Sequence, residues 1–218
     1  MSLKVAAFDI DGTLYPNSAV YVRAIPFLLR NLSVVRSFSR VRREIRKLKA
    51  VPDFRKTQAE LLARERGIET EEAARLIDDV FYGQWEAAVR GVRLYPYVRE
   101  ALAGLREMGL KLAVLSDFPV EEKLANWGLS GFWDYARSSE ELGCLKPGGG
   151  AFRGLVEFFG VEPEEILYVG NNYAYDIIGA KSQGLMAAHI TRFARAGSAA
   201  DFSFSDYRRL GGFIASLV

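Results

Sequence analysis

Residues 4–15 read KVAAFDIDGTLY, and the reading of this stretch decides the fold. Val5-Ala6-Ala7-Phe8 is a short apolar run of the kind that forms a strand buried on both faces. It empties into Asp9-Ile10-Asp11-Gly12-Thr13. In an open parallel α/β sheet, ligands bind just beyond the carboxyl ends of the strands. Two carboxylates two residues apart at such an end, followed by a Gly that lets the chain turn away, can converge on one metal ion and one electrophile. Such a pair can hold Mg²⁺, attack phosphorus or shuttle a proton. Asp and Gly are also common turn residues, so the stretch by itself leaves a plain strand-to-turn junction open.

Downstream, from Tyr95 onward, the chain alternates between apolar runs and helical periods. Helices are predicted over 96–108, 119–127, 151–159 and about 174–183, most of them closed by a following Gly. Strands are predicted over 110–115, 135–139, 166–169 and 185–190, with a short strand and a terminal helix filling 201–217. The Gly148-Gly149-Gly150 triplet reads as a turn. Strands separated by helices of this length mean an α/β fold with a parallel, Rossmann-like sheet covered on both faces. Polar residues sit at four strand ends: Asp9 and Asp11; Ser116 and Asp117; Lys146; and Asn171 with Asp176. Parallel strands point the same way, so these clusters are expected to meet at one edge. Together they supply what is needed to hold a phosphoryl group, neutralise it and attack it in line.

Between the first strand and this alternating region, strand periodicity disappears. Residues 20–31 and 34–49 read as helices with a turn at 31–33, Asp53 as the N-cap of a third helix ended by Gly67, and Thr70 as the opening of a fourth. The expected organisation is an α/β core made of 1–15 and 93–218, with an all-helical domain inserted at 16–92. A basic run from Arg36 to Lys56 crosses the insert. Such a run is either a solvated helix face or a surface for phosphates. No aromatic residue interrupts it between Phe38 and Phe54, so base stacking gets no support. Trp85, Phe81 and Tyr82, near the return from the insert, are placed to pack between the two parts and to line a pocket.

The totals narrow the field. The chain has 218 residues, 50% hydrophobic and 26% charged, with a net charge of +2. That is the balance of a globular protein with a sizeable core, and not of a general nucleic-acid binder. The single cysteine, Cys144, cannot form an internal disulfide and is read as buried and inert. His189, the only histidine, has no second His or Cys to pair with and is read as structural. The apolar-leaning stretch 19–38 is broken by Arg23, Pro26, Arg30 and Arg36, against the ~20 apolar residues that a span requires. No signal peptide is read at the start. A cytoplasmic protein with neither membrane nor nucleic-acid partner is expected; oligomeric state is not legible.

With those residues in place, the sequence resembles members of the haloacid dehalogenase superfamily, mainly Mg²⁺-dependent phosphatases and phosphotransferases. DIDGTL is similar to its first motif, the strand ending in Ser116 to its second, Lys146-Pro147 to its third and GNNYAYD to its fourth. The insert resembles the family's helical cap in position and type. The resemblance implies Asp9 as a nucleophile that forms an aspartyl-phosphate, and Asp11 as the acid and then the base. It implies Ser116 and the backbone amide at Asp117 as holders of the phosphoryl oxygens, and Lys146 as the group that offsets charge. It implies Mg²⁺ on Asp9, on the backbone carbonyl of Asp11, and on Asn171 and Asp176. The family's dehalogenases replace the second Asp, so Asp11 favours phosphoryl transfer over carbon–halogen hydrolysis, and a lid directly after the nucleophile strand implies a small phosphorylated metabolite as substrate. One departure stands out: the fourth motif usually begins Gly-Asp, and here Asn171 follows Gly170. An Asn oxygen can coordinate Mg²⁺ without adding charge, and Asn171 can equally cap the next helix. A weakened phosphate- or partner-binding protein, or a phosphomutase, is the alternative.

Overall fold

The computed structural model describes residues 2–48, 50–194 and 196–217. Its six strands are β1 (Val5–Phe8), β2 (Lys111–Ser116), β3 (Tyr135–Ser138), β4 (Ile166–Gly170), β5 (Met186–Ile190) and β6 (Phe202–Phe204). They form one sheet in the order β3-β2-β1-β4-β5-β6, and every pairing is parallel. The α/β, Rossmann-like class read from the alternation is the observed one. The period-2 alternation of a strand explains why both faces of β1 are apolar. Ala6 and Phe8 enter one core with Leu112, Val114, Leu167 and Val169. Val5 and Ala7 enter the other with Ala113, Leu115, Ile166 and Tyr168.

Between β1 and β2 the chain runs through α1 (Asn17–Arg30), α2 (Leu32–Ile45), α3 (Phe54–Arg66), α4 (Thr70–Ile77) and α5 (Trp85–Val89), and then α6 (Val98–Glu107). The first two differ from expectation: α1 begins earlier, and only Asn31 separates it from α2, with a bend of 109°. Asp53 caps α3 through a bond from the Lys56 amide, and Gly67 ends it in the left-handed region. The α4 helix continues through a π-helical turn, Asp78–Gln84, into α5, a continuation the sequence pattern did not announce. Val34, Phe38, Val41, Ile45, Leu62 and Phe81 give the insert a core of its own. Val20, Ala24 and Val89 instead face the sheet core.

After β2 follow α7 (Glu121–Asn126), α8 (Gly149–Phe159), α9 (Ile178–Ser182) and α10 (Arg208–Ala215). Gly149 and Gly150 belong to α8 itself, and only Gly148 lies outside as its N-cap. The helix expected from Ala174 begins as a π turn, Tyr173–Ile177. Its cap is Asn172 and not Asn171: the Asn172 side chain accepts from the amides of Ala174 and Tyr175 at 3.1 and 3.0 Å. Pro96 precedes α6 in a turn, where Tyr97 takes a positive φ of 66°. Among the described residues, no single helix is long and apolar enough to cross a membrane.

Candidate active site

The strand order reverses at β1: the chain leaves it toward β2 and β3, then returns to pair β4 on its other side. Crevices outside the carboxyl ends of parallel strands open at such switch points. Here the crevice is a hollow of about 140 Å³ whose wall includes Asp9, Asp11, Ser116, Lys146, Asn171 and Asp176. All seven residues singled out from the sequence, Asp117 included, line it.

Asp9 lies just beyond β1, buried, with each carboxylate oxygen engaged. Oδ1 accepts from Lys146 Nζ at 2.8 Å and Oδ2 from the Thr13 hydroxyl at 2.9 Å. Burial, reinforced by the nearby Asp176 and Asp11 carboxylates and opposed by Lys146, pushes Asp9 up to about 7. The buried Lys146 ammonium also donates to Asp176 at 2.7 Å and to the Tyr168 hydroxyl at 2.9 Å. Burial works against its charge, but Asp176 and Asp9 win and hold its pKa well above the usual lysine value. Gly12 makes the turn possible. Its φ is 87°, and a Cβ there would collide with the side-chain amides of Asn171 and Asn17.

Asp11 is bound by a residue that motif reading missed. Lys123, on α7 and almost fully buried, donates to both Asp11 oxygens at 2.8 Å. The Tyr15 hydroxyl donates to Oδ1, and Ser116 Oγ lies 3.3 Å from Oδ2. Burial raises the pKa of Asp11, but Lys123 and these donors outweigh it and hold the group below the usual carboxylate range. The signal for Lys123 was its place in a stripe: Val120, Leu124 and Trp127 share its helix face and are all buried. A lysine inside an apolar stripe needs a buried anion.

The Asp117 side chain turns away from the centre, toward the insert. Its carboxylate accepts from Arg46 at 2.7 Å, from the Ser139 hydroxyl at 2.8 Å and from the Lys146 amide at 3.1 Å. Arg46 and Arg42 show that the basic run, left open by the sequence, is not a solvated face throughout. Arg42 is buried, ion-paired with Glu140, and donates to the Asp117 carbonyl at 2.8 Å. Its charge sits 4.3 Å from the Phe118 ring centroid. Arg40, Arg55 and Lys56 do face solvent, in ion pairs of the insert, and Lys49 lies outside the described residues. On the fourth loop, Asn171 Oδ1 lies 3.4 Å from the Thr13 hydroxyl, and His189 Nε2 meets the Asn171 carbonyl at 3.0 Å. His189 thus braces that loop from β5, and Cys144 is buried.

The donor set suits a hard divalent cation. Asp9, Asp176, the Asn171 amide and the Asp11 carbonyl offer only oxygen, the ligand type Mg²⁺ selects. Three carboxylates, on Asp9, Asp11 and Asp176, face two ammonium groups, on Lys146 and Lys123. That leaves a net charge of −1, which a divalent cation would turn to +1, a balance that favours an incoming phosphate dianion.

Comparison with known proteins defines the family of the chain. A family model described as haloacid dehalogenase-like hydrolase matches residues 3–184. A glyceraldehyde 3-phosphate phosphatase of Methanopyrus kandleri is 32% identical over 199 residues, covering 87% of this chain and 84% of that protein. A phosphoserine phosphatase of Thermus thermophilus is 38% identical over 116 residues, covering 50% of this chain and 47% of that protein. A 2-haloacid dehalogenase structure from Pseudomonas syringae superposes with a TM-score of 0.70 at 21% identity, over 99% of this chain and 100% of that one. That last likeness is one of fold. The chain belongs to the haloacid dehalogenase-like hydrolases. With phosphatases among its relatives, it is an enzyme of the phosphatase kind.

Proposed function

We propose that this phosphatase is Mg²⁺-dependent, works through an aspartyl-phosphate on Asp9, and acts on a small phosphorylated metabolite beneath a helical lid formed by residues 16–92. The carrying observation is the convergence of Asp9, Asp11, Ser116, Lys146 and Asp176 on one small hollow. In the first step an Asp9 oxygen bonds to phosphorus while the bond from phosphorus to the alcohol oxygen breaks. Asp11 gives that oxygen its proton. A phosphate dianion beside Asp11 raises its proton affinity, opposing Lys123. In the second step Asp11, again a carboxylate, takes a proton from water as the water oxygen attacks phosphorus and frees Asp9. Ser116 and the Asp117 amide hold phosphoryl oxygens, and Lys146 keeps Asp9 in line. Asp9, Asp176, Asn171 and the Asp11 carbonyl would hold Mg²⁺, which when bound would supply charge to neutralise the phosphoryl oxygens.

The test is a panel of small phosphomonoesters assayed with Mg²⁺ and with a chelator. Turnover that requires Mg²⁺, and that Asp9→Asn lowers by about 10⁴-fold or more with an unchanged circular dichroism spectrum, is expected. Turnover indifferent to the chelator, or an active Asp9→Asn, would contradict the reading.

A further inference from the structure

Between the insert and the sheet lies a second hollow of about 530 Å³, a volume in the roughly 300–1,000 Å³ range of pockets that enclose whole small molecules. Most of its wall is apolar or aromatic, with Leu28, Val35, Phe38, Phe81, Trp85 and Phe118 among the side chains that form it. Phe38 and Phe81 stack with centroids 3.6 Å apart, and Tyr21 meets Trp85 edge-on at 5.7 Å. Three arginines also line it: Arg42, engaged with Glu140; Arg46, engaged with Asp117 and with the Lys146 carbonyl at 2.9 Å; and Arg43, which is exposed. Phe118 and Tyr175 line both this hollow and the one around Asp9. A group leaving the phosphorus therefore has this apolar space beside it.

We infer that this second hollow receives the alcohol part of the substrate, and that the substrates are phosphomonoesters of bulky apolar alcohols, ring-bearing ones above all. The inference rests on the phosphatase reading and sharpens it. A three-carbon polyol would leave most of the space to water and would set its hydroxyls against walls with few partners, which costs binding. A flat ring removes water from the aromatic walls and stacks against them. The substrate class would thus differ from the one named for the Methanopyrus relative.

The experiment titrates non-hydrolysable phosphonates into the full chain with Mg²⁺ by calorimetry: naphthylmethylphosphonate, 3,4-dihydroxybutylphosphonate and methylphosphonate. The naphthyl compound should bind about tenfold or more tightly than the dihydroxybutyl one. Ser39→Trp, which fills the hollow from its exposed edge, should erase that preference and leave methylphosphonate affinity within about twofold. Trp85→Ala, checked for an unchanged melting temperature, should weaken the naphthyl compound alone. Equal or tighter binding of the dihydroxybutyl compound, a preference that survives Ser39→Trp, or no binding of the naphthyl compound would each overturn the inference. Because binding needs no turnover, a panel without hydrolysis would sink the phosphatase mechanism and leave this result readable.

Discussion

Lys123 is the residue on which the behaviour of Asp11 turns. An ammonium gripping both carboxylate oxygens fixes the orientation of Asp11 and keeps it charged between turnovers. Lys123→Met should therefore lower kcat by roughly 10²-fold with little change in KM, because the loss falls on proton transfer. Steady-state kinetics on any turned-over ester will check this; a wild-type kcat would remove Lys123 from that role. Such partners are the part of the site that motif reading could not supply. Asp9, Asp11 and Ser116 stand at strand ends and Lys146 in the loop between β3 and α8, where local sequence already announces chemistry. Lys123, Tyr15 and Tyr168 stand inside apolar patterns, and their polar tips find partners only once the fold has formed. Asn171 and Asn172 illustrate the same limit. Neighbouring residues of one type divided capping and site duty by a backbone turn that the sequence does not spell out.

At the level of elements, α2 is the strap that holds the insert to the sheet. Arg42, Glu140, Arg46 and Asp117 cross between them, with Tyr82 donating to Glu140 at 2.7 Å. Arg42→Met leaves Glu140 buried without its cation, which should cost about 3–5 kcal/mol in denaturant unfolding. Adding Glu140→Leu should recover most of it; if the double variant is no more stable than the single one, the pair is not what carries the strap. The Asp117 link adds a pH dependence. Burial raises its pKa, but Lys146, Arg42 and Arg46 prevail and hold it below the ordinary 3.8. Its stabilising share is therefore complete above the ordinary value and drains away as pH falls through the lower folded one. The stability difference between the native chain and Asp117→Asn should stay level from about pH 5 to 8 and shrink below about pH 4. A difference that grows toward acid would contradict the link. The basic run shows why this strap was hard to read. Charges at helical spacing declare a face, and only the partner surface, Glu140 and Asp117 far along the chain, decides which arginines are buried.

For the whole molecule, the ordering principle is the place of β1 between β2 and β4. Parallel strands send every loop that follows them to one rim, so the alternation of apolar runs and helices was enough to predict that the four polar clusters meet. What it could not give was the depth of the meeting: Lys146 held by Asp9 and Asp176 together, and the apolar hollow roofed by helices from a different part of the chain. The central claim is that this convergence makes Asp9 the group that carries the phosphoryl between substrate and water. Rapid acid quench during turnover of a good substrate, followed by mass spectrometry of the peptides, tests it most directly. One phosphoryl group on the peptide containing Asp9, absent from Asp9→Asn, is the predicted result. Full turnover with that peptide unmodified at every quench time, or with the phosphoryl group on another residue, would contradict it.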